Sequence, residues 1–296
     1  MIIYIYIAVL VLLFTSCEKD ITVDLPRPAS EVVVDGYVET GLPPYILLSR
    51  NSGYFDPISS NSLNQAAESN AIVTISDGVV TVPLHELITT YNGYNVRGVY
   101  VAIDSVTQLP TMIAQPGKTY TLHITTSKGE KLSSAVKLNF SVALDSVWFK
   151  VQEYKDSLGF AWARLKDPDT LGNCYRWFAK RITKDNYFIA PNGSTFEDKF
   201  INGKDFDFAY NRGSLPNSSA TDDNNVESGF YKKGDTVIVK FCAVDHATFQ
   251  FWRDAENQIQ GNGSPFSVPS NVKSNIVGGL GIFASYAPTF DTIYAK

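Results

Sequence analysis

The chain has 296 residues, longer than one small core needs and suited to two domains of ordinary size. Its 44% hydrophobic content excludes a disordered chain, and a net charge of -5 without a basic face excludes a nucleic-acid binder, which must neutralise phosphates. An aromatic share of 13% with only 2 Met leans the fold toward β structure, because rings pack well on pleated surfaces.

The first apolar run, Ile2 to Phe14, is shorter than the roughly 20 residues a membrane-spanning helix needs, and has the length of a signal-peptide core. Thr15 and Ser16 are small and precede Cys17, which resembles a bacterial lipobox. Residues 1–16 then read as a lipoprotein signal peptide and Cys17 as the lipidated N-terminus, against a plain signal peptide or membrane anchor. Acyl chains on Cys17 would anchor the protein by burying methylenes, at about 0.8 kcal/mol each. Residues 17–29 read as a tether. Its charged start, Glu18, Lys19 and Asp20, is either a surface-export signal or a solvated linker, and Pro26 and Pro28 stiffen it.

From Glu31 onward, short apolar or alternating runs are broken by turn residues. EVVVDGYVET reads as a strand with Val32, Val34 and Tyr37 inward, and GLPP separates it from YILLSR. AIVTISDG and VVTVPLHEL flank Asp77-Gly78, a hairpin signal. GVYVAI, KTYTLHITTS and KLSSAVKLNF follow, so 30–140 is expected to be one β-sandwich. A second, 141–296, begins with LDSVWFKVQEY, whose Val147, Phe149 and Val151 share a face. GFAWARLKDPD, NCYRWFAKRIT and DTVIVKFCAVD continue it, with a turn at KDPDTLGN. DHATFQFWRDAENQIQ breaks the β pattern and predicts a helix at about 246–259. Asp245 would cap it, Phe249, Trp252, Ala255 and Ile259 would share its apolar face, and Gly261 would end it. Tyr187 to Gly229 is polar and turn-rich and reads as a long loop. Its isolated aromatics, Phe196, Phe200, Phe206, Phe208 and Tyr210, are the candidate ligand or partner contacts.

Few reactive groups converge. His85, His123 and His246 each stand alone in their runs, no G-x-S-x-G occurs, and no Walker lysine follows a glycine cluster. No catalytic residue and no cofactor is therefore assigned. Weak calcium candidates are Asp167 and Asp169 in one turn and Asp222 and Asp223 in an acidic run, and neither set fits the calcium-loop template. Cys174 and Cys242 remain once Cys17 is lipidated, and in an oxidising compartment they either form a disulfide or serve as two small buried apolar residues. The glycines Gly278, Gly279 and Gly281 lead into a strand-like run with no helix behind them, so they do not make a phosphate loop. They read as the start of a terminal strand that admits a neighbouring ring or helix.

VVVDGYVETGLPPYILLSRNSGYF, AIVTISDG, DPDTLGNCYRW, KKGDTVIVKFCAVDHATFQFW and PFSVPSNVKSNIVGGLGIFASY, in that order, resemble the lipoprotein family catalogued as domain of unknown function 4249. The resemblance implies an all-β chain of two tandem β-sandwiches, the second immunoglobulin- or fibronectin-like. It also implies a lipid anchor in the outer membrane, at the cell surface or in the periplasmic leaflet, beside a TonB-dependent receptor as partner. The expectation is a non-enzymatic accessory or substrate-binding lipoprotein of such a transporter. The alternatives are a surface adhesin or structural lipoprotein, and a hydrolase whose residues meet only in the fold.

Overall fold

A computed structural model describes residues 30–52, 66–91, 94–213, 229–261 and 271–296. Strand alternation sets the first element. β1 (Val32–Glu39) buries Val32, Val34 and Val38 on one face. Tyr37 was expected with them, but it stands three residues from Val34 and so lies on the opposite face, which carries Asp35 as well. β2 (Tyr45–Arg50), β3 (Ile72–Ser76), β4 (Thr81–Tyr91), β5 (Tyr94–Val101), β6 (Thr119–Thr125) and β7 (Lys131–Lys137) follow. The hairpin at Asp77-Gly78 joins β3 to β4 as expected, and the Asp77 carboxylate accepts the Val79 and Val80 N–H groups.

The chain continues through β8 (Ser146–Val151), β9 (Leu158–Lys166), β10 (Cys174–Arg181), β11 (Thr195–Glu197), β12 (Asp205–Tyr210), β13 (Tyr231–Lys232) and β14 (Thr236–Val244). The helix α1 (His246–Gly261) and the long β15 (Leu280–Tyr294) complete it. The fold is mostly β with one short helix, and Asp245 caps that helix by accepting the Thr248 N–H at 3.1 Å.

Eleven strands share one sheet in the order β11-β10-β14-β15-β1-β2-β5-β4-β3-β6-β7. The stretches 30–140 and 141–296 meet in it, because β15 pairs with strands from both. Leu280 to Tyr286 run parallel to β1, and Ala287 to Tyr294 antiparallel to β14. At the far end, β7 returns to the residues before β15, where Ser133 and Val277 exchange hydrogen bonds at 2.8 and 3.1 Å. Asn275 then folds onto β15, its side chain bonding the Phe283 N–H at 2.9 Å and C=O at 2.8 Å.

The glycines before and within β15 make this junction possible, though not by admitting a ring or helix. A Cβ at Gly281 would collide with the Val34 carbonyl oxygen of β1, and one at Gly279 with the Leu132 side chain of β7. Gly281 also has φ +103°, which an L side chain rarely adopts. Backbone proximity, not aromatic packing, requires them.

β9 carries β8 on one edge and β12 and β13 on the other, forming the second sheet. Ala161, Ala163 and Leu165 of β9 are buried in the cluster that holds Tyr175 and Trp177 of β10 and Phe241 of β14. β12 corrects the reading of 187–229 as one long loop. Its sequence DFDFAY alternates, and its Phe208 ring lies 5.8 Å from Trp177 and 6.0 Å from Phe241.

Candidate functional site

The inner face of β10, β14 and β15 packs on the small sheet, so alternation turns every second residue outward. Ladder register brings these outward residues side by side: Phe178 opposite Lys240, Arg176 opposite Cys242, Glu39 opposite Tyr286, and Tyr37 opposite Ala284. α1 lies over part of this face, with Phe249 buried against Cys174, Cys242, Ile282 and Ala284. Between helix and sheet is a cleft of about 690 Å³, walled by residues 188–192, Asn211, Gly213 and Gly229. Five of its lining residues are aromatic: Tyr37, Phe178, Phe188, Trp252 and Tyr286.

Arg176 organises the wall beneath the helix. Its guanidinium is buried, donates to Ser194 Oγ at 3.2 Å and Tyr286 Oη at 3.1 Å, and pairs with Glu256 at 3.4 Å. It stacks 3.7 Å from the Trp252 ring centroid and 4.7 Å from that of Phe178. Glu256 is a buried carboxylate, satisfied because it also accepts the Ser194 N–H at 2.9 Å and hydroxyl at 2.5 Å. Ile259, expected on the apolar face, is instead 62% exposed at the cleft.

Tyr286 Oη accepts from Arg176 and, at 2.8 Å, from Trp252 Nε1, which leaves its own proton to donate. Burial pushes the Tyr286 hydroxyl up to about 12, so it remains a donor at neutral pH. Burial, helped by Glu39, pushes Tyr37 up to about 12 as well. On the other side Lys240 is held by both Glu39 oxygens, at 2.6 and 2.7 Å. Asp35 differs from these groups. It is open to the cleft and receives no hydrogen bond from the described residues. Protein crowded around it holds its carboxyl above the usual range, an effect that the Arg176 charge only opposes.

The candidate contacts of the sequence are elsewhere. Phe196, Phe206, Phe208 and Tyr210 pack against the core between the sheets, and Phe200 is 80% exposed on a one-turn 3-10 helix. Asp167 is buried, accepting the Tyr175 hydroxyl at 2.6 Å and the Gly203 N–H at 3.3 Å, while Asp169 lies in the adjoining turn. Among the described residues no three His, Cys, Asp or Glu side chains converge on a metal position. Cys174 and Cys242 are free thiols, not a disulfide: Cys242 sits opposite Arg176 and Cys174 opposite Val244, two positions out of register. Burial pushes both thiols up to about 12, which leaves them protonated and unreactive although His246 Nδ1 is 3.8 Å from Cys174. His85 and His123 occupy strands β4 and β6. Cys17, Asp222 and Asp223 lie outside the described residues.

Sequence reasoning missed Asp35, Arg176, Lys240 and Glu256. A signal for the strand residues was present, since Asp35-Tyr37-Glu39 and Arg176-Phe178-Lys180 each put polar and aromatic residues on one strand face. Nothing local said that those faces adjoin.

A family model described as a domain of unknown function (DUF4249) matches residues 18–291. No curated protein matches the chain.

Proposed function

This chain belongs to that family, a domain of unknown function, and from that premise we propose that it is a non-enzymatic lipoprotein that holds a small ligand. The observation that carries the reading is the cleft between β1, β10, β14, β15 and α1, with five aromatic residues around a few fixed polar groups. Its ion pairs support binding over catalysis. A two-carboxylate hydrolase needs a free acid and a free base, and here Glu39 is committed to Lys240 and Glu256 to Arg176 and Ser194. Asp35 is left without a second carboxylate to work with.

In this reading Cys17 carries the lipid that anchors the chain in the outer membrane, and the cleft presents its ligand to a TonB-dependent receptor. The strands before and after residue 140 serve as two sandwich-like halves, the second immunoglobulin-like, with β15 common to both. Affinity capture of the tagged lipoprotein from outer membranes is expected to recover such a receptor. Recovery of none under inducing conditions, with loss of cell attachment on deletion, would replace this reading with that of a surface adhesin.

A further inference from the structure

We infer that the cleft selects an organic cation, whose ammonium or guanidinium group meets the Asp35 carboxylate while its apolar body lies against Tyr37 and Trp252. The inference rests on the ligand-holding reading above and names the class of ligand.

Charge pairing comes first. Lys240 is paired with Glu39, and Arg176 with Glu256, so each cation in the lining has its own carboxylate. Asp35 is the carboxylate left over, and the described residues offer it no hydrogen bond. An anionic ligand would find no cation here without a carboxylate partner, because Arg176 is paired with Glu256 and Lys240 with Glu39. A wholly apolar ligand would strip water from Asp35 and give nothing back, which is costly for a charged group. A cationic ligand supplies the missing partner.

The walls point the same way. Ring faces carry negative electrostatic potential, and those of this cleft already attract cations. Besides Arg176 over Trp252 and Phe178, Lys240 Nζ stands 5.6 Å from the Phe178 centroid and 5.7 Å from that of Phe188. The Tyr286 hydroxyl adds a donor for an acceptor on the ligand body.

Asp35→Asn is the informative variant, since its fold should be secure. The charged and titratable groups around Asp35 are Tyr37 and Glu39 on its own strand, Tyr45 on β2 and Arg176 on β10. The folded state raises the Asp35 pKa above its unfolded value, so ionisation costs stability at neutral pH. The variant should therefore melt no lower than wild type at pH 7, and any gain should fade below about pH 4, where the acid is protonated in both states.

The test is calorimetric titration of the full chain in detergent with three molecules of one shape: phenethylamine, 2-phenylethanol and 3-phenylpropionate. Phenethylamine is expected to bind about ten- to a hundredfold more tightly than the other two, and Asp35→Asn to erase that preference by weakening phenethylamine, with 2-phenylethanol bound no less tightly than before. Equal affinities, or a cation preference that survives Asp35→Asn, would overturn the inference and leave the cleft as a binding site. Absence of binding by all three at millimolar concentration also overturns it. The receptor capture experiment does not depend on any of these outcomes, so failure of the wider reading is seen separately.

Discussion

Gly281→Ala is expected to lower the melting temperature by roughly 6–12 °C, from a loss of about 3 kcal/mol. Two effects add at this position. The backbone adopts φ +103°, strained for any L side chain, and the new Cβ would be driven into the carbonyl oxygen of Val34. That carbonyl belongs to β1, with which β15 forms a parallel ladder from Val33–Leu280 to Glu39–Tyr286. Relief requires β15 to move, and β15 also carries β14 and part of the cleft. Gly129→Ala separates the two effects. Gly129 has φ +84° with no atom within 4 Å of its would-be Cβ, so it suffers strain alone, about 1 kcal/mol. If circular dichroism melts showed the two variants equally stable, the close approach of β15 to β1 would be wrong.

Arg176→Ala is expected to cost about 3–5 kcal/mol in urea unfolding. The substitution leaves the Glu256 carboxylate buried with only Ser194 to bond it, and removes the layer between Trp252 and Phe178. Arg176→Lys should recover only part of the loss, because an ammonium cannot reproduce the planar fork that reaches Ser194, Tyr286 and Glu256 together. The decisive comparison is the double variant Arg176→Met/Glu256→Gln. It should be more stable than the sum of its single changes predicts, by about 0.5–3 kcal/mol, since it buries no unpaired charge. Strict additivity would mean that the two side chains do not act as one unit.

These positions also show what the sequence could and could not convey. Local alternation sufficed for β1, for the hairpin at Asp77-Gly78 and for β8, and a capped, 3.6-periodic run sufficed for α1. β12 was hidden because DFDFAY is short and surrounded by turn residues, although its period of two was visible. The role of β15 was not readable at all. Parallel pairing with a strand some 250 residues earlier leaves only an indirect trace, the glycines that let two backbones approach.

The site was less legible than the fold, for a related reason. The aromatics of 196–210 were conspicuous because they interrupt a polar stretch, yet apolar rings in a polar stretch are also what a covering strand needs. The residues that line the cleft lie on five elements and on the connecting segments at 188–192, 211–213 and 229, and the meaning of the strand residues depends on ladder register: Glu39 reaches Lys240 only because β1 and β14 flank the same strand. Glu256 falls seven residues after Phe249 and four after Trp252, so helical spacing puts it on the inner face of α1, but only the fold shows the Arg176 partner that lets a carboxylate sit there.

Whether this cleft holds a ligand can be read from hydrogen–deuterium exchange on the full chain with and without the small-molecule extract of its own cells. A bound ligand should slow exchange in α1 and in residues 188–192, the helix and segment that wall the cleft, and leave the small sheet of β8, β9, β12 and β13 unchanged. Exchange that is unaltered at the cleft, or slowed only in the small sheet, would contradict it.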